Sequence, residues 1–373
     1  MHIVIAGGGS GGHVFPGLAV AAEMRRRHPE ITVTWIATHR GLEFSLVEKT
    51  GLPVLPIRAG KLNRFLGKQL ITDFLRIPLG CIDALRILRR IHAAAVLTCG
   101  GYVSVPVGLA ARFLNIPFIA LQQDVKPNLS NRIIAPFATY IAVAFSQSAQ
   151  FFPKTRVRIT GNPLRSSLFT GNPERLRAQF SLEQALPTIL VLGGSQGAAA
   201  VNELLWKDLA QWLEFCQVLH STGKSWIHRA GIIRQTLPER LAKRYVPLPF
   251  LDEEYADALA LADIVISRAG AASLSELAVI GKCAILIPLP SSRSTSPQEA
   301  NAHLLEMADA AVVFRQKELS PDLLRCAAQN LLNDPLRRER LRNNIQGFAT
   351  VNGTLYVADL LTDLIHPQKI PKG

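Results

Sequence analysis

The chain has 373 residues, of which 48% are hydrophobic and 18% are charged, and this composition excludes a disordered chain. The length predicts two domains, because single hydrophobic cores stop growing near ~250–300 residues. The formal net charge of +13 belongs almost entirely to residues 1–162, which hold 19 basic and 7 acidic side chains, whereas residues 163–373 hold 22 and 21. No segment approaches the ~18 uncharged apolar residues that span a bilayer. The basic N-terminal half predicts contact with a polyanion, a membrane or a phosphorylated partner, and the competing interpretation is that the charge only keeps the protein soluble.

The first predicted strand is HIVI, followed by a glycine turn and a helix, AGGGSGGHVFPGLAVAAEM, at residues 6–24. The short apolar run before the glycines predicts no signal peptide. Later strands alternate with helical segments, which is typical of parallel sheets covered by helices on both faces. These predicted strands are 31–37, 93–99, 116–121, 139–144, 215–220, 262–267 and 283–290.

The same order of strand, glycine turn and helix starts again at residues 187–205, PTILVLGGSQGAAAVNELL. The sequence therefore predicts two doubly wound, Rossmann-like α/β domains that face each other across a ligand cleft. The predicted bounds are 1–162 and 163–349, with a hinge in RITGNPLR at 158–165. A C-terminal helix at about 350–366 is expected to pack back on the first domain.

Both glycine turns predict anion sites, since N–H groups at a helix N-terminus bind phosphate without a metal ion. The second turn adds the hydroxyl of Ser195. Gly7–Gly12 also matches the dinucleotide spacing, but the second strand ends in WIATHRG without the acid that holds a ribose. This disfavours NAD, while Arg40 leaves NADP open. The competing interpretation is that each loop is only a tight strand–helix turn.

Two motifs in the C-terminal half carry groups suited to a nucleotide sugar. SRAGAASLSELAVIGK, at 267–282, is a third glycine turn into a helix, in which Glu276 can accept two hydrogen bonds from a ribose diol. SPQEANAHLL, at 296–305, places Gln298 and Asn301 on one helix face, where amides suit sugar hydroxyls. The competing interpretations are an acid that favours the helix dipole and a solvated helix face.

Two polar loops in the N-terminal half also follow predicted strands. TCGGYVSVPVGLAA carries Tyr102 and Ser104, and LQQDVKPNLSNR carries Asp124 and Lys126. Four polar loops at strand carboxyl ends favour one cleft over chance placement.

Residues 58–92 combine eight basic and two acidic side chains with large apolar ones. The apolar residues are Phe65, Leu66, Leu70, Phe74, Leu75, Ile77 and Leu79. Such a segment can lie on an anionic bilayer surface, and the alternative is an ordinary crossover helix with a basic outer face. Pro78 and Gly80 predict two short elements instead of one long helix.

The five cysteines are scattered and odd in number, which predicts a reduced chain with no disulfide framework and no zinc site. No metal and no cofactor is predicted.

Five blocks in chain order resemble the MurG family, the lipid-linked N-acetylglucosaminyltransferases of bacterial peptidoglycan synthesis. The blocks are GGGSGGHVFPGLAVA, GGYVSVP, GNPLR, GGSQGA and SRAGAASLSEL. The resemblance covers essentially the whole chain and implies the two-domain GT-B fold. It implies inverting transfer of N-acetylglucosamine from UDP-N-acetylglucosamine to the 4-hydroxyl of the muramyl pentapeptide on undecaprenyl pyrophosphate (lipid I), which gives lipid II.

The resemblance also implies a peripheral protein on the cytoplasmic face of the cell membrane. The implied partners are the two substrates, anionic lipid, and cell-wall synthesis and division proteins, without nucleic acid.

Individual site residues are implied by matching positions. On the donor side they are Ser10, Gly11, Gly12, Arg165, Ser195, Leu251, Ala271, Ala272, Ser273, Leu274, Ser275, Glu276, Gln298 and Asn301. Arg165 and Ser195 lie where the family contacts the diphosphate, and Leu251 where backbone groups read uracil. On the acceptor side the candidates come from the two polar loops of the N-terminal half and are Tyr102, Ser104, Asp124 and Lys126.

The chain departs from the family pattern at several positions. In place of EQN…PG it has QQDVKPN, so that Gln122 replaces an acid, Asp124 an asparagine and Asn128 a glycine. Pro297 replaces a polar residue, and ADAA at 308–311 replaces AGAA. These departures bear on the acceptor more than on the donor.

Inversion requires one general base for the acceptor hydroxyl. Histidine titrates near neutral pH, so His13 at the mouth of the first loop is the first candidate, and Asp124 is the second. The alternative for His13 is a structural imidazole that bridges the loop.

Two other functions remain open from the residues. A UDP-N-acetylglucosamine 2-epimerase shares the fold but has no reason to carry the segment at 58–92. A basic protein that binds nucleic acid leaves Glu276, Gln298 and Asn301 unexplained, and the chain has no nucleic-acid motif or stacking platform.

Overall fold

The computed structural model describes residues 1–9, 11–39, 41–60, 68–194, 197–291 and 297–366, with the backbone alone at Leu42 and at residues 68–76. Two compact units are present. The first comprises Met1–Arg165, Thr295–Pro297 and Thr350–Gly373, and the second comprises Ser166–Ser294 and Gln298–Ala349. None of the described helices combines the length and apolarity that a membrane crossing requires.

In the described part of the first unit, seven parallel strands form one sheet in the order β3-β2-β1-β4-β5-β6-β7. The strands are β1 His2–Ala6, β2 Thr32–Thr38, β3 Val54–Ile57, β4 Ala93–Thr98, β5 Phe118–Gln122, β6 Tyr140–Val143 and β7 Val157–Ile159. The helices between them are α1 Gly11–Arg27, α2 Leu42–Glu48, α3 Lys68–Arg90, α4 Ser104–Phe113 and α5 Leu129–Ile134, with 3-10 turns at Ala135–Phe137 and Ser146–Phe151.

In the described part of the second unit, six parallel strands form a sheet in the order β10-β9-β8-β11-β12-β13. The strands are β8 Thr188–Leu192, β9 Gln217–Ser221, β10 Tyr245–Leu248, β11 Ile264–Ser267, β12 Cys283–Leu286 and β13 Val312–Val313. A 3-10 turn lies at Ser166–Thr170, and the helices are α6 Pro173–Phe180, α7 Ala199–Lys207, α8 Leu209–Trp212, α9 Ile227–Gln235, α10 Glu239–Ala242, α11 Tyr255–Leu261, α12 Ala271–Ile280, α13 Gln298–Met307, α14 Pro321–Asn333 and α15 Pro335–Gln346.

Alternate residues of each central strand enter two different cores. In β1, Ile3 and Ile5 belong to the core under α1, whereas Val4 and Ala6 belong to the core under α3 and α4. All four side chains are fully buried. Continuous apolar strands are the signature of a parallel sheet that is covered on both faces. The predicted fold class, two doubly wound α/β domains, is confirmed.

The last described helix, α16 Gly353–Ile365, packs against α1 and β4 of the first unit. Val357, Ala358 and Leu361 are fully buried in the same core as Ile3 and Ile5. Where the chain returns to this unit, the hydroxyl of Thr354 accepts from the N–H of Leu164 at 2.9 Å and donates to its carbonyl oxygen at 2.8 Å.

The prediction of two short elements around Pro78 is wrong, because α3 is one helix from Lys68 to Arg90 with Pro78 inside it. Gly80 serves packing and does not end the helix. A Cβ there would lie 2.2 Å from the carbonyl oxygen of Arg58, so glycine allows the chain after β3 to approach the helix. Asp83, less than one turn later, accepts hydrogen bonds from the Arg58 guanidinium at 2.6 and 2.7 Å.

A buried polar chain crosses the second unit. Trp206 Nε1 donates to the Tyr245 hydroxyl at 2.8 Å, and that hydroxyl lies 2.9 Å from His220 Nδ1. His220 Nε2 donates to Asn202 Oδ1 at 3.0 Å, and Asn202 Nδ2 donates to the carbonyl oxygen of Thr222. These donors and acceptors match only when His220 is neutral, with its proton on Nε2. Burial lowers the pKa of His220 to about 3.

This chain of hydrogen bonds makes stability depend on pH. The unfolded chain binds the additional proton between about pH 6.5 and pH 3, so the free energy of unfolding should fall by up to ~1.4 kcal/mol per pH unit as the pH drops through that window. His220→Gln removes the titrating group. Urea unfolding at ~pH 7 and ~pH 5 should therefore show a smaller loss of stability for the variant than for the wild type.

The exposed His228 provides the control, since His228→Gln should keep the wild-type pH dependence. An equal loss of stability in wild type and His220→Gln would contradict the assignment.

Candidate functional site

The first glycine turn joins β1 to α1 and holds His13. His13 Nδ1 lies 3.1 Å from the carbonyl oxygen of Gly8. A carbonyl can only accept, so Nδ1 carries the proton and Nε2 carries the lone pair of the neutral ring. Ser10 lies outside the described residues, and Gly11 and the half-buried Gly12 open α1.

A second glycine turn, between β4 and α4, packs on the first. Gly100 and Gly101 have φ of +94° and +79°, which favours glycine. A Cβ on Gly101 would lie 2.0 Å from the Gly8 carbonyl oxygen, and one on Gly100 would lie 3.0 Å from Cδ2 of His13. The His13 ring is therefore held against two backbone turns, which supports the bridging interpretation and leaves the role of a base open.

Ser104 lies beneath this second turn. Its side chain is fully buried, and its hydroxyl accepts from the Gly100 N–H at 3.0 Å and lies 2.8 Å from the Gly100 carbonyl oxygen. This geometry is that of a residue that fixes the turn, not of a hydroxyl that is available to contact a substrate.

Glu43, which the sequence analysis did not select, is a buried carboxylate under the first glycine turn. It is 1% exposed, and it accepts from the Gly9 N–H at 3.1 Å and from the Thr38 hydroxyl at 2.7 Å. The Tyr102 hydroxyl, which is 3.2 Å away, also donates to it. In the sequence Glu43 is an acid in the first turn of a helix just after β2, a few residues beyond the strand end where a dinucleotide fold has its ribose-binding acid.

Tyr102 joins these groups at the first turn. Its hydroxyl lies 3.2 Å from both Thr38 Oγ1 and Glu43 Oε1, and a Cβ on Gly9 would meet its ring at 3.1 Å. Burial raises the pKa of Tyr102, so the phenol remains protonated at neutral pH.

The loop after β5 is shaped by the residues that depart from the family pattern. Gln122 Nε2 donates to the carbonyl oxygens of Asp124, at 2.5 Å, and Lys126, at 3.1 Å. A carboxylate at this position has no proton to donate to either carbonyl. Gln122 Oε1 accepts from Asn131 Nδ2, and Asn128 caps α5 by accepting from the Asn131 N–H at 2.9 Å. Asp124 is 4% exposed, and the Lys126 side chain is exposed.

Arg165, where the first segment of the first unit ends, lies over an aromatic ring of α1. Its guanidinium carbon is 4.4 Å from the centroid of Phe15, two residues after His13. The geometry is that of a cation–π contact, and it brings a cation to the first turns of α1.

In the second unit, Ser195 lies outside the described residues, but the turn around it is defined at Gly193 and Gly197. Gly197 has φ +78°, and a Cβ there would lie 2.4 Å from the carbonyl oxygen of Thr222, where the buried polar chain of His220 ends. That chain of hydrogen bonds therefore fixes the Thr222 carbonyl oxygen against which the Gly193–Gly197 turn packs.

Helix α12 begins directly after β11, at the glycine turn that contains Gly270. Its N-cap is Gly270, which has no side chain to cap the N–H groups of Ala271, Ala272 and Ser273. Arg268, which the sequence analysis also did not select, precedes the helix and donates to the carbonyl oxygen of Ile287 at 2.9 Å. Burial lowers the pKa of Arg268 to about 10, so it stays cationic at neutral pH. The arrangement favours an anion.

Glu276 lies in the second turn of α12. It is 8% exposed and accepts from the Tyr255 hydroxyl at 2.7 Å. Leu274 is buried, and the hydroxyl of Ser275 donates back to the helix carbonyl of Ala271 at 2.9 Å. Leu251 is 4% exposed.

The two amides of α13 support neighbouring loops. Asn301 is fully buried, and its Nδ2 donates to the carbonyl oxygen of Ala269, just before α12. Gln298 Oε1 accepts from the N–H of Leu289, after β12. Asp309 has φ +47° where the family pattern has glycine, and Arg340 pairs with its carboxylate at 2.7 Å.

The structure thus brings His13, Tyr102 and Glu43 together in the first unit, and Glu276 and Asn301 to one helix N-terminus in the second. Within the described ranges, no cluster of three or more His, Cys, Asp or Glu side chains could hold a metal ion.

Comparisons with known proteins cover both units. Residues 3–143 match the glycosyltransferase family 28 N-terminal domain, and residues 188–353 match its C-terminal domain. A relative from Treponema denticola is 35% identical over 96% of both chains, and one from Clostridium perfringens is 32% identical over 98% of both. Each is named UDP-N-acetylglucosamine--N-acetylmuramyl-(pentapeptide) pyrophosphoryl-undecaprenol N-acetylglucosamine transferase.

Among solved structures, MurG from Acinetobacter baumannii matches with a TM-score of 0.73 and 29% identity, over 97% of this chain and 99% of that one. A UDP-N-acetylglucosamine 2-epimerase from Neisseria meningitidis matches with a TM-score of 0.69 but only 16% identity, over 97% of this chain and 100% of that one, and so shares the fold alone. The chain belongs to the MurG family and is a glycosyltransferase of family 28 with the GT-B fold.

Proposed function

We propose that the chain transfers N-acetylglucosamine from UDP-N-acetylglucosamine to the 4-hydroxyl of the muramyl pentapeptide on undecaprenyl pyrophosphate, with inversion. The observation that carries the proposal is identity of 32–35% over nearly the whole length of relatives named for this transfer. The described site groups are of the kinds that the transfer needs: N–H groups for phosphate, a carboxylate for a diol, and a histidine for a hydroxyl.

We assign the donor to the second unit. The uncapped N-terminus of α12 and the cationic Arg268 suit the diphosphate, whose charge grows as UDP departs. Glu276, with one oxygen held by Tyr255, suits the ribose diol, and Gln298 and Asn301 suit the sugar hydroxyls. Arg165, in the first unit, and Ser195 are proposed for the diphosphate, and Leu251 for uracil.

We assign the acceptor and the general base to the first unit. The Nε2 lone pair of His13 would take the proton of the acceptor 4-hydroxyl as the new glycosidic bond forms. The electron pair of the old bond leaves with UDP, so one in-line attack inverts the anomeric carbon. Tyr102 and Lys126 are proposed near the acceptor, Asp124 remains the second candidate base, and Ser104 acts by fixing the Gly100–Gly101 turn.

The proposal is tested by UDP release from UDP-N-acetylglucosamine in EDTA, with and without a lipid-linked muramyl pentapeptide. We expect release that depends on the acceptor and survives chelation, because helix N-termini and arginines stabilise the diphosphate. Donor consumption without acceptor would instead indicate an epimerase or a hydrolase. No donor turnover in either tube would contradict the proposal.

His13→Ala tests the base. We expect kcat to fall by ~100-fold or more, the usual contribution of a general base, while UDP affinity changes by less than ~3-fold. His228→Ala, at an exposed position on α9, is the control. Unchanged turnover in His13→Ala would remove this residue from catalysis and leave Asp124 as the candidate.

We also propose that the first unit binds anionic lipid on the cytoplasmic face of the membrane and meets cell-wall synthesis and division proteins there. Residues 61–67 of the basic segment, with Phe65 and Leu66, lie outside the described residues, and only the backbone is described at 68–76, where Leu70, Phe74 and Leu75 lie. In the rest of α3, Leu79 and Ile82 are 38% and 41% exposed, and the exposed Arg86 follows one turn later. Apolar side chains beside a cation suit an anionic bilayer surface.

Sedimentation with vesicles tests this surface. The double variant Leu79→Glu, Ile82→Glu should bind phosphatidylglycerol-containing vesicles at least ~10-fold more weakly, since it loses apolar burial and gains repulsion. The control is Leu336→Glu, a residue of the second unit that is 79% exposed. Equal binding by the double variant and the wild type would contradict this part of the proposal.

A further inference from the structure

We propose that Glu43 is a positioning residue for His13 and acts on it through the peptide group between Gly8 and Gly9. The inference rests on the role proposed above for His13 as the base.

One peptide group connects the two side chains. Its N–H, on Gly9, donates to Glu43 Oε2 at 3.1 Å, and its carbonyl oxygen, on Gly8, accepts from His13 Nδ1 at 3.1 Å. The carboxylate and the imidazole therefore bind opposite ends of a single dipole. The order is that of a carboxylate–histidine pair with one amide inserted between the partners.

This arrangement acts on His13 in two ways. A carboxylate that accepts the N–H polarises the amide, and the Gly8 carbonyl becomes a stronger acceptor for Nδ1–H. The ring is then held with its proton on Nδ1 and its lone pair on Nε2. When Nε2 takes the proton of the acceptor hydroxyl, the negative charge behind the amide stabilises the imidazolium. Glu43 gains and loses no proton in this step.

The surroundings of Glu43 are built to keep a carboxylate there. It is 1% exposed, and its described donors, the N–H groups of Gly9 and Thr38 and the hydroxyls of Thr38 and Tyr102, are all neutral. A Cβ on Gly8 or Gly41 would lie 2.7 or 2.0 Å from its carboxyl atoms, so both glycines make room for it. With four donors on two oxygens, the charge is solvated by the protein and the side chain is fixed.

Glu43→Gln tests the proposal, because it keeps an oxygen for Gly9 and removes the charge. Two measurements are made on the full chain: kinetics with the lipid-linked acceptor, and the ¹⁵N chemical shifts of the His13 ring. We expect kcat to fall by ~10- to 100-fold, with KM for UDP-N-acetylglucosamine within ~2-fold of wild type. The Nδ1-protonated tautomer, dominant in the wild type, should become less populated in the variant.

The matched control is Glu48→Gln, at an exposed position on the same helix, α2, which should change neither measurement. If Glu43→Gln fails to fold, Thr38→Val provides the second test. It removes the Thr38 hydroxyl, which donates at 2.7 Å, and leaves the charge of Glu43 in place. With one donor fewer, the carboxylate should bind the Gly9 N–H more strongly. The ¹⁵N shift of His13 Nδ1 should then move in the direction opposite to its change in Glu43→Gln.

His13 shifts that are unchanged in Glu43→Gln would overturn the inference, even if turnover falls, because the residue would then act by another route. Normal kcat in the variant would overturn it as well. An inactive wild type would count against the proposed transfer instead, while the ring shifts would still report whether Glu43 and His13 are coupled.

Discussion

The close approach of two backbone turns determines the arrangement of the first unit. Strands β1 and β4 are hydrogen-bonded neighbours, so the glycine turns at their carboxyl ends emerge side by side. With 2.0 Å between a Cβ on Gly101 and the Gly8 carbonyl oxygen, no side chain fits at that position. His13 lies against both turns and Tyr102 reaches across them to Glu43, so the positions of these side chains follow from backbone contact, which is the most rigid kind of support a fold offers.

The second unit uses the same construction, with different groups at its turns. Strands β8 and β11 are neighbours, and each ends in a glycine turn that opens a helix. Here α12 begins with N–H groups that no side chain caps, and the neighbouring amide side chains support the backbone: Asn301 donates to the carbonyl oxygen of Ala269, and Asn202 donates to that of Thr222. A site of this kind is electrostatically preorganised, because its dipoles are fixed before any ligand arrives.

The strand pattern could be predicted from the sequence because buried parallel strands are continuous apolar runs between glycine turns, and the predicted strand at 31–37 became β2 at Thr32–Thr38. Short strands such as the two-residue β13 could not be predicted, because their pairing depends on a neighbouring strand and not on their own composition. The helix break at Pro78 was a local inference that tertiary packing overrode.

For the candidate site, the loops could be predicted but the partners within them could not. Ser104 and Tyr102 share one motif, yet the first is fully buried under the turn and the second reaches Glu43, a difference that depends on where the chain folds back. Glu43 itself has no motif: it is separated by 34 positions from the glycine it binds. The exchange of acid and amide at 122 and 124 was visible in the sequence, but only the two carbonyls around Gln122 explain why an amide fits there.

The first unit is discontinuous along the chain, since α16 contributes Val357 and Leu361 to a core otherwise made of residues before Arg165. A ribosome that reads from the N-terminus therefore makes the whole second unit before it makes the helix that completes the first. During that interval the apolar side of α1 and of strands β4 and β5 lacks the cover that α16 provides. The domain that is begun first is thus the last to be finished, and a newly synthesised chain exposes apolar surface to chaperones until its final turns emerge.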